Sequence, residues 1–394
     1  MTVETADPPQ GVRSSVLVAA GGVLAVALVP LVLLGPGTDL DTGAVIRSGR
    51  RLVDTGNYVP SRAPGAPVHE ALVGLLDRIG GTVATNLGSL VMAGACLVAI
   101  VALLRRSGVG RVGLVVAVVA ANPWFLLAAS STVDFLWALA FLLASAVLVR
   151  DRRPVGAGAC AALAVGCRAS TVVLVAALVL AEALDQRGGR RRAALLALVA
   201  AGGAAVLYVP SFLASDASLA FAQNDVPAST ALVQVGRFAV KDLYFFGPFA
   251  AVVLLLCAPA ALRALSRWRT DWLVRFAATG LVASQLVFLR FPWKVGHLLP
   301  SLVCLALLLG VALRDRPGLL VALVVAQALY VGANVVLVRP DNPNAATGGR
   351  LTFEPGWGAV VVDTRCRADD PGAWKSPERE RVDAVWNCAK PWAG

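Results

Sequence analysis

Long, uninterrupted runs of apolar residues recur along the whole chain and determine its predicted architecture. Most runs approach the length that a helix needs to cross a bilayer, and they do not alternate apolar and polar residues as barrel strands do. The pattern predicts an all-α polytopic membrane protein of about eleven transmembrane helices. The predicted spans are 15–34, 84–104, 112–129, 133–149, 155–167, 169–184, 193–210, 245–263, 273–289, 298–313 and 318–338.

Short arginine-rich loops separate many of these runs and predict the orientation in the membrane, because positive charge accumulates in cytoplasmic loops. They fall on one side if the N-terminus is cytoplasmic and 155–184 forms a hairpin. We therefore expect a cytoplasmic N-terminus at 1–14, a transmembrane domain over 15–338 and outer loops at 35–83 and 211–244. The remainder, 339–394, is predicted to be a small extracytoplasmic C-terminal appendage.

Composition supports this class. Of 394 residues 58% are hydrophobic and 15% are charged, with a mean hydropathy of +0.74. A soluble domain carries about 25% charged residues, so a soluble protein is excluded. The net charge of +11 is typical of membrane topology and contact with anionic headgroups, and we expect no nucleic-acid partner.

The cysteines and histidines do not form a zinc-type pattern, since there is no C-x-x-C pair and the two histidines are far apart. Five of the seven cysteines lie inside predicted spans, where they behave as small apolar residues. The other two, Cys366 and Cys388, form a disulfide if the tail is outside the cell. In a cytoplasmic tail they would be two free thiols.

The first outer loop, 35–83, contains two amphipathic segments. Apolar residues at 45, 46, 49, 52 and 53 face away from charged residues at 47, 50, 51 and 54, and apolar residues recur at helical spacing from 68 to 79. Both segments are predicted to be helices that lie in the membrane surface. A connector rich in proline and glycine joins them at 56–67.

Two acidic residues, Asp39 and Asp41, stand where the first span ends and the first surface helix begins. Either residue suits a helix cap, and either suits a catalytic base beside the membrane. The arginines at 47, 50 and 51 suit lipid headgroups, and they suit a phosphate clamp because arginine binds phosphate through two nitrogens.

The order of motifs in this loop resembles the GT-C superfamily of integral membrane glycosyltransferases. That pattern has an aspartate after the first span, a surface helix, G-[ND]-[YW]-x-x-[SP]-R and a Pro/Gly-rich stretch. The most similar enzymes use polyprenyl-phosphate sugars, as aminoarabinose and protein mannosyl transferases do. The matching residues here are Asp41, Arg50, Gly56-Asn57-Tyr58, Ser61-Arg62 and Pro64-Gly65-Ala66-Pro67.

The resemblance implies a polyprenyl-phosphate sugar as donor, with Asp41 at the position of the family's catalytic aspartate. Tyr58 becomes a substrate-binding candidate and Arg62 a ligand of the donor phosphate. Many family members have adjacent acidic residues here, whereas this chain has Asp39-Leu40-Asp41. The choice of base between Asp39 and Asp41 therefore stays open, as does the need for a divalent metal.

Further candidates lie near the predicted outer ends of other spans. Arg168 is costly at membrane depth, so it contacts a lipid phosphate or sits at a hairpin turn with its head in water. Arg290, Lys294 and His297 either anchor the chain at the interface or form a basic loop that binds donor phosphate, as the GT-C pattern has it. Asp134 either forms a capping box with Ser131 or belongs to the site. The loop 211–244 is either a lid or an ordinary loop.

The function implied by the resemblance is transfer of a sugar from a polyprenyl-phosphate donor to an extracytoplasmic envelope acceptor. The acceptor is a glycan, a glycolipid or a protein, and the bilayer and the lipid-linked donor are the other partners. Asp41 would act as base with inversion, and Arg62, Arg168, Arg290 and Lys294 would bind the donor phosphate.

Two other functions remain open. A transporter or flippase of lipid-linked sugars shares the spans and basic loops, although no second copy of the 35–83 loop indicates an inverted repeat. An assembly partner in envelope synthesis with a degenerate site is the third.

Overall fold

The structure is a computed structural model that describes residues 28–29, 31–33, 35–37, 41–185, 188–215, 231–292, 294–332, 334–338 and 352–356. Of the first predicted span, residues 28–29 and 31–33 are described, and residues 28, 29, 31 and 32 are helical. The N-terminus 1–14, Asp39, Trp293, and Cys366 and Cys388 of the tail lie outside the described residues.

Helices account for most of the described chain, and we number them in order. They are α1 (Asp41–Thr55), α2 (Pro67–Arg106), α3 (Val112–Ala120), α4 (Pro123–Ala129), α5 (Phe135–Arg150), α6 (Pro154–Cys167), α7 (Val172–Ala183), α8 (Gly189–Leu213), α9 (Ala231–Phe246), α10 (Pro248–Leu265), α11 (Trp272–Arg290), α12 (Leu299–Ala312) and α13 (Pro317–Gly332). Short 3₁₀ turns at Ala169–Thr171 and Val295–Leu298 precede α7 and α12.

The helices form a polytopic membrane bundle, which confirms the predicted all-α class. Within the described ranges, α2, α8, α10, α11 and the segment Val295–Ala312 are long and apolar enough to span a membrane. A sixth span follows if α3 and α4, which meet at 74°, count as one. Each predicted span from 84–104 onward coincides with an apolar helix or with that bent pair. Shorter apolar helices include α5, α6 and α7.

Two boundaries differ from the sequence prediction. The predicted outer loop 211–244 contains most of α9, whose Gln234 side chain donates hydrogen bonds to the carbonyls of Leu289 and Arg290 at the end of α11. The predicted last span, 318–338, ends as a helix at Gly332, and β1 (Asn334–Val338) pairs antiparallel with β2 (Thr352–Gly356). Hydropathy alone does not distinguish the end of a helix from an apolar strand that follows it.

Small residues set the close approach of helices inside the bundle. A Cβ at Gly158 of α6 would overlap Val199 of α8, and one at Gly203 of α8 would overlap Ala162 of α6. Membrane helices associate through such contacts, because lipid offers no hydrophobic gain for burying large apolar side chains. The five cysteines of the described chain are unpaired and lie in helices, as expected for small apolar residues.

The two predicted surface helices are α1 and the first part of α2, which breaks at Gly80 and Gly81 before it continues into the bundle. Because Gly49 and Gly74 lack side chains, the two helices come into backbone contact at these positions. Arg50 of α1 forms an ion pair with Asp77 of α2. The crossing fixes α1, and with it Asp41, against the rest of the molecule.

Asn86 of α2 ties the end of the first predicted span to the bundle. Its Nδ2 donates to the carbonyls of Val32 at 2.9 Å and Gly35 at 2.5 Å, and its Oδ1 accepts from Thr132 at 2.9 Å. The amide of Thr132 also donates to Pro36. This buried network joins the segment before α1 to the turn before α5.

Replacement of Gly74 by alanine tests the crossing. The new methyl group would collide with the Gly49 carbonyl, so we expect a loss of ~1–3 kcal/mol in stability, typical of overpacking. Gly94→Ala on the same helix is the control: its Cβ meets no neighbour, and alanine favours the helix by about 0.5–1 kcal/mol. Thermal unfolding in detergent measures both variants, and an equal melting temperature for the two would contradict the crossing.

Candidate functional site

A buried carboxylate at the start of α5 joins three distant segments. Asp134 accepts a hydrogen bond from Arg62 of the connector and another, at 2.7 Å, from Arg168 at the end of α6. Its side chain is only 5% exposed. The predicted capping box with Ser131 is wrong, because Asp134 lies at the N-cap of α5 and makes no side-chain cap hydrogen bond. Its two carboxylate oxygens instead accept hydrogen bonds from the two arginines.

Asp41, the first residue of α1, is the accessible carboxylate of the site. It pairs with Arg62 at 3.1 Å and with Lys294 at 2.8 Å, and 35% of its side chain is exposed. Burial raises the pKa of Asp41, but the charges of Lys294 and Arg62 and the hydrogen bond from Lys294 outweigh burial. The pKa therefore lies below its ordinary value, and the carboxylate is ionised at neutral pH.

Arg168 extends the arrangement to the 3₁₀ turn that precedes α12. Its second terminal nitrogen lies 2.7 Å from Nε2 of His297, and its guanidinium stacks over the ring of Phe135 at 4.2 Å. The side chain is only 16% exposed, so Arg168 does not extend into water, which was one of the two sequence interpretations. It is held between a carboxylate, an aromatic face and an imidazole.

Six of the predicted site residues thus form one continuous series of contacts, which we call the charged row. In spatial order its members are Lys294, Asp41, Arg62, Asp134, Arg168 and His297. The row holds three permanent cations and two carboxylates, so an additional anion is electrostatically favoured there.

Two predicted residues lie away from the charged row. Arg290 is exposed, stacks over Phe291, and contacts no member of the row within the described chain. Tyr58 is buried, and burial raises the pKa of its hydroxyl. That hydroxyl lies so close to Gly65 that a side chain at position 65 would collide with it. Tyr58 thus packs the connector, and the structure gives it no contact with the row.

Glu70, in the first turn of α2, is a site-organising residue that the sequence analysis missed. Its carboxylate is fully buried and accepts hydrogen bonds from Ser48 at 2.8 Å, from the side chain and amide of Ser61, and from the amide of Ala66. Glu70 therefore fixes the backbone of the connector on both sides of Arg62. An acidic residue in a first helical turn is common, which is why its sequence position alone did not single it out.

A narrow apolar slot of about 30 Å³ starts at the charged row. Arg168 and His297 lie at its polar end, and Leu139, Leu174 and Val287 line it between α5, α7 and α11. The slot therefore lies between apolar helices and borders the Arg168 end of the charged row. The described residues offer no group of three His, Cys, Asp or Glu side chains suited to a metal ion.

The fold is similar to that of solved structures. ArnT from Cupriavidus metallidurans bound to undecaprenyl phosphate shares it with a TM-score of 0.62 at 14% identity, over 96% of this chain and 76% of that one. The apo state of the same protein gives 0.55 at 17% identity, over 97% and 76%. No protein-family model and no curated protein sequence matches the chain. The likeness confirms the predicted polytopic helical fold.

Asp134→Asn tests whether the buried carboxylate holds the site together. Asparagine keeps the shape but removes the buried charge, so that Arg168 loses its carboxylate partner and Arg62 keeps only Asp41. We therefore expect a loss of about 3–5 kcal/mol in stability. Asp54→Asn is the matched control, since Asp54 forms a 3.8 Å pair with Arg78 on the exposed surface, worth ~0–1 kcal/mol. Thermal unfolding of both variants measures the difference, and equal losses would refute the assignment.

Proposed function

We propose that the chain is a membrane glycosyltransferase that takes a sugar from a polyprenyl-phosphate donor, with Asp41 as general base. One observation carries the proposal: an accessible carboxylate lies between two cations, in a charged row whose other end, at Arg168 and His297, borders an apolar slot. A lipid phosphate and an acceptor hydroxyl need these groups side by side. The ArnT-like fold, one example of which is bound to undecaprenyl phosphate, supports this assignment.

The pairing of Asp41 suggests how the donor activates the base. Arg62 and Lys294 are each about a quarter exposed, so a phosphate can approach them. When Arg62 and Lys294 bind the phosphate, their attraction to the Asp41 carboxylate weakens. The pKa of Asp41 then rises towards its ordinary value. Donor binding would thus convert a neutralised carboxylate into a stronger proton acceptor beside the reacting centre.

The reaction follows from these positions. The acceptor hydroxyl gives its proton to Asp41 as its oxygen bonds to the anomeric carbon. The bond from that carbon to the phosphate oxygen breaks, and the polyprenyl phosphate leaves with the electron pair. The cations of the charged row stabilise the charge that develops on the phosphate. A single displacement of this kind inverts the anomeric configuration.

Asp134 is the less suitable base, because two arginines saturate a carboxylate that is almost fully buried. We assign it a positioning role and assign Arg168 and His297 to the polar end of the lipid slot. The proposal puts the charged row on the extracytoplasmic side, opposite the arginine-rich loops, with the N-terminus cytoplasmic and the C-terminal appendage outside. A glycan, glycolipid or protein of the envelope is the acceptor.

Sugar transfer from polyprenyl-phosphate donors in purified membranes tests the base. Asp41→Asn should lower the rate by about 10²-fold or more, the usual contribution of a general base. Asp54→Asn, an exposed acidic residue of the same helix, should leave the rate within about twofold, since surface substitutions away from such features have small effects.

Asp39→Asn separates the two candidate bases. If Asp39→Asn alone abolishes transfer, the base is Asp39 and the assignment to Asp41 is wrong. Donor lipid that crosses the bilayer without sugar transfer, unaffected by either substitution, would favour a flippase instead.

Val287→Trp tests the lipid slot. The larger ring would fill a slot of about 30 Å³, so KM for the lipid donor should rise about tenfold, equivalent to ~1.4 kcal/mol, with KM for the acceptor unchanged. Val282→Trp lies on the lipid-exposed side of the same helix and is the control. Steady-state kinetics with both substrates measure the effect, and an equal response of the two variants would contradict the slot.

A further inference from the structure

A second cavity, which is larger and polar, lies at the end of the bundle opposite the charged row. It encloses about 660 Å³ and is lined by residues that include Arg150, at the C-terminal end of α5. Asp134 precedes the other end of that helix, which has 16 residues and is therefore about 24 Å long. The proposed transferase function does not involve this cavity.

The wall of the cavity carries seven arginines and three carboxylates, and every carboxylate is already engaged. Glu182 and Asp185 both accept from Arg192, at 2.6 and 3.2 Å. Asp271 caps α11 through the amides of Leu273 and Val274. The acidic residues therefore neutralise only part of the positive charge.

Several of the remaining arginines are not neutralised. Arg150 stacks over Trp272 at 5.1 Å, and its Nε is buried without a hydrogen-bond partner, although Glu182 lies within electrostatic range. The side chains of Arg152, Arg267 and Arg269 form no ion pair within the described residues, and all three are exposed at the cavity. Four cations thus face a common space.

Arg152 also carries backbone strain. Its φ is +58°, in the left-handed region, at the position that follows the C-cap of α5. Glycine is the usual residue there, because a side chain costs energy in this conformation. Within the described chain Arg152 is the only residue other than glycine with a positive φ. Strain of this kind tends to be retained where the side chain has a function.

Topology explains part of this pattern, since arginine-rich loops are expected at one face of a membrane protein. The topology of a membrane protein explains how many arginines these loops carry. A charge bias alone does not require the arginines to surround one cavity. Nor does it account for a buried, unsatisfied Nε or for arginine in a glycine conformation. These features point to an anionic ligand that supplies the missing acceptors.

We infer that this cavity binds a ligand with two or more negative charges on phosphate groups. Guanidinium groups match phosphate oxygens through paired hydrogen bonds, and the volume suits a ligand with more than one phosphate. An anionic lipid headgroup and a soluble phosphoanion share this chemistry. Arg150 and Arg152 are the central ligands in this proposal, because Arg150 has an unsatisfied donor and the backbone of Arg152 is strained.

The test compares two probes on the purified full-length protein. Inorganic pyrophosphate in detergent is titrated by calorimetry, and retention of cardiolipin, a lipid with two phosphates, from mixed nanodiscs is followed by native mass spectrometry. The double variant R150Q/R152G should weaken binding of the active probe at least tenfold. Pyrophosphate binding would identify a soluble phosphoanion, and retention of cardiolipin alone would identify a lipid headgroup.

R111Q/R153Q is the matched control, because it removes two exposed arginines that do not line the cavity and lowers the net charge equally. It should bind as the wild type does. R152G alone, without either probe, should melt at or above the wild-type temperature, because glycine adopts this φ without strain. Equal loss of binding in both double variants, failure of both probes to bind, or a lower melting temperature for R152G would overturn the proposal.

Discussion

The buried ion pairs of Asp134 are the constraint on which the site depends. A carboxylate removed from water is costly unless cations and hydrogen bonds surround it. Arg62 and Arg168 meet that requirement, and they come from the connector after α1 and from the end of α6. The connector at 56–67, the start of α5 and the α6–α7 turn must therefore converge on one point. Asp134 is buried between both arginines, so Asp41, which shares Arg62, is the accessible carboxylate of the charged row.

The surface helices supply the rigidity that this arrangement needs. Glu70 fixes the connector through Ser61 and Ala66, and the Gly49–Gly74 contact holds α1 against α2. Asp41 and Arg62 are thereby placed before any substrate arrives. Preorganised charges cost little reorganisation during a reaction, which is how enzymes obtain electrostatic stabilisation. The same row of alternating charges has one net positive charge, which the proposed function assigns to a donor phosphate.

Hydropathy predicted the apolar helices, because a bilayer requires apolar segments of a minimum length. Amphipathic spacing predicted α1 and the first part of α2, because a two-faced helix leaves a periodic pattern in the sequence. The motif around Gly56 also selected Asp41 and Arg62. Sequence spacing did not identify the role of Asp134, because the pattern S-x-x-D from Ser131 to Asp134 fits a capping box as well as it fits a buried ion pair. Glu70 and the arginine cavity were missed because their partners lie far apart in sequence, and only the packed bundle brings them together.

The central claim is that a lipid phosphate replaces Asp41 as the partner of Arg62 and Lys294. A cryo-electron microscopy structure of the protein with a polyprenyl phosphate tests it directly. We predict a phosphate within hydrogen-bond distance of Arg62 and Lys294, a tail in the slot past Val287, and an Asp41 carboxylate that no longer contacts Lys294. A bound phosphate elsewhere, with the Lys294–Asp41 pair of 2.8 Å still intact, would contradict the account.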